Sequence, residues 1–312
     1  MKYFAISVLF STLFVISAVA AEETAPQNAL QTEAVILQVD NKPVAEYRCK
    51  NVPYKPYVSV LRTPAGLNVL RDAPHDHLHH HGLMFALAVN GCNFWEEYGK
   101  PGTEKTVSFT AGKSSLKTEL DWNTPSGETV LKELRSVSVK ENTAEKPNVV
   151  LLDWTSVLKA PAAVPVHLDK SNHHYFGLGM RFDQSMDKDG RFFNTGKHNA
   201  EIIRGDERLT VCNWSAYTAK LNGQQVTVAV LGHPSNPIPT MVFSMGDAGK
   251  SFAYLGITLN LHRNPVDVEP EKPLEFRFRI AVWDGETPPE VIEKEYQQFA
   301  TAKADITAAG KD

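Results

Sequence analysis

Five of the chain's eleven histidines fall within the run His75-Asp76-His77-Leu78-His79-His80-His81. Neutral imidazole ligates Zn, Cu, Fe and Ni, and near neutral pH it also gives and takes protons. In an extended segment His75, His77, His79 and His81 share one face and His80 takes the other, because strand side chains alternate. Three readings stay open for this run. His77, His79 and His81 hold a divalent metal, Zn or Cu; or His79 and His80 do acid–base work on a small ligand; or the run is a solvated polar loop. One short segment seldom completes a coordination sphere, so a metal here needs a further ligand from elsewhere in the chain.

Three other stretches carry groups that could join it. Trp95-Glu96-Glu97 sets an aromatic beside carboxylates: a flat apolar face for a sugar ring and acceptors for its hydroxyls, or a core Trp with wet neighbours. Asn172-His173-His174-Tyr175-Phe176-Gly177-Leu178 runs into Gly179-Met180-Arg181-Phe182, which places Arg181 on a strand. An inward Arg needs an anionic or carbonyl partner, supplied by a ligand or by a structural ion pair. Gly232-His233-Pro234-Ser235-Asn236-Pro237 closes a strand, and each proline pushes the residue before it to extended geometry. The result is a rigid loop that offers His233 and Asn236 as fixed ligand contacts or is a plain turn.

The elements that must position these groups read as strands. Short runs rich in β-branched and aromatic residues recur between turn signals. They cover residues 34–39, 44–49, 57–62, 67–70, 83–89, 105–111, 116–122 and 129–139, then 149–158, 175–183, 208–214, 225–231, 240–244, 252–261 and 274–282. Phe276, Phe278 and Ile280 alternate with Glu275, Arg277 and Arg279, the pattern of a sheet with one wet face. Asp40-Asn41, Pro125-Ser126-Gly127 and Asn222-Gly223 supply turns. The one convincing helix is C-terminal: Thr287-Pro288-Pro289-Glu290 reads as a capping box, and Ile292, Tyr296 and Phe299 form one apolar stripe. The fold class is therefore all-β, a large β-sandwich with a C-terminal helix. Residues 34–304 read as one domain, and 305–312 as a frayed tail.

A formal net charge of −4 argues against a nucleic-acid partner, and 42% hydrophobic with 22% charged residues is ordinary for a globular chain. Lys2, an apolar run from Phe4 to Val19 and the small-residue exit Ala18-Val19-Ala20 make residues 1–20 a signal peptide, followed by a disordered leader over 21–33. No later stretch is apolar for long enough to span a membrane, so the expected location is the periplasm or the extracellular space. Cys49, Cys92 and Cys212 are too few and too far apart for a disulfide scaffold. There is no G-x-S-x-G elbow, P-loop, C-x-x-C pair or H-E-x-x-H helix.

The chain resembles the exported bacterial proteins labelled "PmoA-like" or "methane oxygenase", a family otherwise of unknown function. The resemblance rests on Tyr57–Arg71, the His run with Gly82-Leu83-Met84-Phe85, Asn90-Gly91-Cys92-Asn93-Phe94-Trp95, Gly177–Arg181 and His233–Pro237. The family pattern H-x-H-H-R-G meets His77-Leu78-His79-His80-His81-Gly82 here, with His81 where Arg is usual. A methane monooxygenase subunit is a multi-span membrane protein, so the label is not a literal identity. The resemblance implies a carbohydrate role. The segment Asn172–Leu178 also resembles the N-H-x-Y-F-x-L segment of galactose mutarotases, with Gly177 where Asn is usual. That likeness implies a galactose mutarotase-like β-supersandwich and an acid role for His173.

Together these readings predict an exported protein that acts on or binds a sugar, a small-molecule carbohydrate, through a His-rich cleft. A lyase, hydrolase or epimerase is the enzyme type expected. His79, His80 and His173 are the catalytic candidates, and Trp95, Glu96, Arg181, His233 and Asn236 the binding candidates. A Cu or Zn protein and a non-catalytic envelope module are the alternatives, and the oligomeric state stays open. The sugar reading requires the three His-bearing segments to meet in one cleft.

Overall fold

The structure, a computed structural model, describes Met1 and residues 33–142, 148–163, 165–168, 173–196, 200–246 and 252–302. The signal peptide and the tail fall outside the described residues apart from Met1, as does the leader apart from Glu33, which begins the first strand. The strands begin with β1 (Glu33–Val39), β2 (Lys42–Lys50), β3 (Tyr57–Leu61), β4 (Leu83–Ala86), β5 (Ala88–Val89), β6 (Cys92–Asn93) and β7 (Thr103–Ala111). Next come β8 (Ser115–Asn123), β9 (Thr129–Asn142), β10 (Val149–Lys159), β11 (Val166–Leu168), β12 (Gly177–Arg181), β13 (Arg191–Asn194) and β14 (Glu201–Ile202). The rest are β15 (Arg208–Val211), β16 (Trp214–Leu221), β17 (Gln224–Gly232), β18 (Met241–Met245), β19 (Tyr254–Thr258), β20 (Val266–Val268) and β21 (Leu274–Asp284), followed by helix α1 (Pro289–Thr301).

Two large antiparallel sheets carry the fold. One runs β1-β2-β3-β4-β12-β19-β18-β15-β14, the other β13-β16-β17-β21-β10-β9-β8-β7, and a small sheet runs β20-β11-β5-β6. The hairpin turns follow residue chemistry. Asp40-Asn41 and Asn222-Gly223 take positive φ at both central positions, which lets the β1–β2 and β16–β17 strands twist together. The main core lies between the large sheets, where Phe85 of one meets Trp122 and Phe278 of the other at centroid distances of 6.2 and 6.3 Å. The all-β expectation with a C-terminal helix holds.

The period-two reading of β21 is right about Phe276, Phe278 and Ile280, which enter the main core. It is wrong about the other face. Ala281 and Trp283 join Ile292, Tyr296 and Phe299 in a second apolar cluster, because α1 lies over that side of the sheet. Arg279 is buried there and neutralised by two carboxylates, Asp153 (2.5 and 2.7 Å) and Glu295 (2.7 Å). The helix stripe is as read, but the cap is not. Pro288 holds the N-cap position without a side-chain bond, and Thr287 instead donates its backbone N–H to the Thr227 hydroxyl (3.0 Å).

Two runs read as single strands divide between sheets. Residues 208–214 split into β15 and the start of β16, and 83–89 into β4 and β5, so each break moves the chain from one sheet to another. Residues 67–70 make only isolated bridges, and the break at 159–174 contains β11. None of the three cysteines forms a disulfide, and burial pushes the Cys212 thiol up to about 12. No helix among the described residues is long and apolar enough to cross a membrane.

Arg135 on β9 is fully buried and donates to both oxygens of Glu133 (2.8 Å each), to Glu104 (2.9 Å), to the Tyr47 hydroxyl (3.2 Å) and to the Pro56 carbonyl (3.1 Å). The indole of Trp154 lies 4.8 Å from its guanidinium.

Candidate functional site

The segment between β3 and β4 is not extended. An isolated bridge between Asp72 and His81 closes it into a loop, and Ala73 N–H donates to the His80 carbonyl (2.9 Å). Inside the loop, His77 N–H donates to Pro74 and His80 N–H to His77, each at 2.9 Å. These tight turns break the expected alternation. His77 stacks on His80 (4.6 Å, 15°), His79 stands edge-on to both, and His75 points to solvent.

His81 turns the other way. Its Nδ1 lies 2.7 Å from Asp72, its Nε2 about 3 Å from Glu97, and its ring stacks on Tyr57. Tyr57 donates to Asp72 (2.7 Å), and the buried Lys55 ammonium pairs with Glu97. Burial alone would push His81 down, but the hydrogen bonds to Asp72 and Glu97 outweigh it and raise its pKa. The same bonds hold both carboxyls low against their own burial. The chain Tyr57–Asp72–His81–Glu97–Lys55 thus clamps the base of the histidine loop. Asp72→Asn is expected to lower the His81 pKa, because an opposite charge is lost. An NMR titration of the His81 ring reads this, and an unchanged midpoint would show that Asp72 carries no charge there.

The proposed metal set is not assembled. Both His81 nitrogens face carboxylates, and the parallel stack turns the His77 ring toward His80 rather than toward a shared centre. Among the described residues no group of three or more His, Cys, Asp or Glu side chains is arranged to hold a metal ion.

His77, His79 and His80 instead form one side of a cavity of about 360 Å³, in the size range of small-molecule pockets. Burial, reinforced by the charges of Lys55 and His77, pushes His79 down to about 4. Burial and the neighbouring His79 and His77 push His80 down to about 2, so both rings are neutral at pH 7. Glu96 and His173 face each other across this side, Nε2 to Oε1 at 3.2 Å. Glu96 is held in place locally: the Asn93 amide oxygen accepts the N–H groups of Trp95 and Glu96, and the Asn93 amide donates to Glu96 (2.8 Å). Tyr175 stacks on His173, and its hydroxyl lies 3.5 Å from Glu96. At the rim Glu207 accepts from the exposed Arg204 (2.5 and 3.1 Å). The far wall comes from β18 and β19 and is apolar.

A family described as "Family of unknown function (DUF6807)" has a sequence model that matches residues 34–297. The chain belongs to this family. No curated protein matches the sequence. Among solved structures, a galactose mutarotase related enzyme from Lactobacillus acidophilus is 10% identical, with 82% of this chain and 100% of that one covered and a TM-score of 0.48. The GH36 alpha-galactosidase AgaA from Geobacillus stearothermophilus is also 10% identical, with 81% and 41% covered and a TM-score of 0.46. These likenesses concern the course of the backbone and give no residue of this chain a role. Nothing in them bears on a methane-oxygenase label.

In this DUF6807 chain two of the three His-bearing segments meet, and the third does not. His233 and Asn236 lie at the end of β17, in the other large sheet, under α1. Asn236 exchanges hydrogen bonds with the Arg277 backbone (2.8 and 3.0 Å), and His233 faces the Arg277 guanidinium and Ser235. They border a separate groove with Pro237 and Tyr296, so they are no part of the histidine pocket. Trp95 is fully buried behind the pocket, stacked on Phe176 (5.4 Å, 11°), and has no face left for a ligand. Arg181 is buried as well. It pairs with Asp76 (2.9 Å), holding that carboxyl at about 2 against its burial, and its guanidinium lies over the Phe252 ring, 3.5 Å from the centroid. Asn172 lies outside the described residues, as does His198. Sequence reasoning missed Tyr98, Arg204, Glu207 and the apolar wall. The alternation of Phe243 and Met245 on β18 was a visible signal, but it reads equally as core.

Proposed function

We propose that this protein binds a sugar or sugar derivative in the histidine pocket and does acid–base work on it. One observation carries the reading: Glu96, His173, His79 and His80 converge on a single cavity of sugar-accommodating size, opposite an apolar wall. Glu96 accepts from ligand hydroxyls and lies 3.2 Å from His173, a carboxylate–imidazole couple placed to pass a proton to or from the ligand. His79, neutral at pH 7, is the complementary proton acceptor. His80, packed at the base of the pocket, positions the loop and offers no charge. Export follows from the N-terminal sequence and belongs to the same reading.

Ligand-detected NMR with a panel of monosaccharides, disaccharides and oxidised glycosides tests it. Wild type is expected to bind at least one member. Glu96→Gln and His173→Ala are each expected to weaken that binding about tenfold, the scale of one charge-assisted hydrogen bond. No binding by wild type, or undiminished binding by both folded variants, would overturn the proposal.

A further inference from the structure

The histidine pocket is polarised in a way that a plain sugar does not use. Phe243 and Met245 point the same way on β18, two residues apart, and Tyr254 pairs with Met245 in the adjacent β19. Phe252 extends this surface just before β19 and meets His77 and His80 edge-on. Tyr254 lies across Gly179 and Gly256, where side chains would collide with it: a Cβ at Gly179 would stand 1.7 Å from its hydroxyl. That hydroxyl is therefore turned into the sheet, buried, and only the ring contributes to the wall. The result is two phenyl rings, a phenol ring and a thioether on one side, with no hydrogen-bonding group among them. Every hydrogen-bonding side chain of the cavity stands on the facing loops or the rim.

A pyranose presents hydroxyls around its edge and a small apolar patch on each face. One aromatic ring satisfies such a patch, whereas this wall spans two strands. Resting on the sugar-binding reading, we infer that the ligand is a glycoside with an apolar aglycone, aryl or alkyl, that lies against the Phe243–Met245–Phe252–Tyr254 wall while the sugar hydroxyls face Glu96 and His173. Met245 is the wall residue to alter, since it is only partly buried and Phe252 also supports Arg181.

The test is calorimetric titration of the full chain with methyl and phenyl glycosides of glucose and galactose, in both anomers. For at least one sugar the phenyl glycoside is expected to bind about tenfold more tightly than its methyl counterpart, from the added apolar area buried. Met245→Gln is expected to remove most of that ratio. A wild-type ratio near one, with methyl glycosides bound, overturns this inference and leaves sugar binding standing. A ratio that survives intact in Met245→Gln also overturns it. If neither glycoside binds, this inference falls, and the wider panel above decides the sugar reading separately. The wild-type ratio decides the matter even if the variant does not fold.

Discussion

Arg135→Met is expected to destabilise the protein by about 3–5 kcal/mol, the range for breaking a buried ion network by removing one partner. The guanidinium is fully buried and supplies counter-charge to Glu133 and Glu104 at 2.8–2.9 Å. Burial already pushes the Glu104 carboxyl up to about 8, so near neutral pH Glu133 is the partner that most needs the cation. Methionine fills much of the volume but leaves Glu133 without its counter-charge, and strips donors from Tyr47 and Pro56. The loss is therefore electrostatic rather than a cavity effect. Arg135→Met with Glu133→Gln is accordingly expected to recover a large part of it, because no charge then lacks a partner. Urea denaturation of wild type and both variants measures this. A single variant within about 1 kcal/mol of wild type would mean that water reaches the network.

That network also marks how far the sequence could be read. The alternation on β21 gave the core face correctly, because burial of Phe276, Phe278 and Ile280 depends only on the strand's own period. Whether Arg277 and Arg279 were wet depended on α1, and on Asp153, 126 residues from Arg279. No local pattern encodes such a partner. The divided strands have the same cause. Residues 83–89 and 208–214 are each uniformly strand-like, and the sheet switch inside them is set by which neighbours are already paired.

The site was half legible for related reasons. Residue type pointed to His79, His80 and Glu96, since concentrated imidazole and carboxylate rarely serve packing only, whereas His173 came from the resemblance of its segment to galactose mutarotases. Ring direction was not legible: the turns at Pro74–His77 and His77–His80 replace alternation, sending His81 to Asp72 and Glu97. Trp95 and Arg181 were read as ligand contacts because large polar-tipped side chains serve both core and site, and here the core has them. His233 shows the limit plainly. A rigid Pro-flanked loop fixes a side chain without saying which sheet's end it belongs to.

Acid should destabilise the native state through His80, and His80→Phe should remove that part of the pH dependence. The ring is 7% exposed and held at about 2, against an ordinary 6.5 in the unfolded chain. Between those values the unfolded state binds a proton that the native state refuses, so stability rises with pH there, by about 1.4 kcal/mol per unit. From pH 6.5, where the unfolded ring is half protonated, down to 4.5 the loss is about 2 kcal/mol. His79, held at about 4, adds a loss of the same sign. His81 is neutral to this window, since its raised native pKa leaves it protonated in both states below 6.5. Asp76, held at about 2, loses its contribution only below its ordinary 3.8. Glu104, held at about 8, works in the opposite direction across the same window, so wild type alone shows a muted slope. The informative quantity is therefore the difference between wild type and His80→Phe in denaturation free energy at pH 6.5 and 4.5. A change of about 2 kcal/mol in that difference is expected, and parallel profiles would mean that His80 takes up its proton in the folded state. A proton on His80 would also put a charge inside the buried stack of imidazole rings. The neutrality of this ring and the shape of the pocket thus stand or fall together.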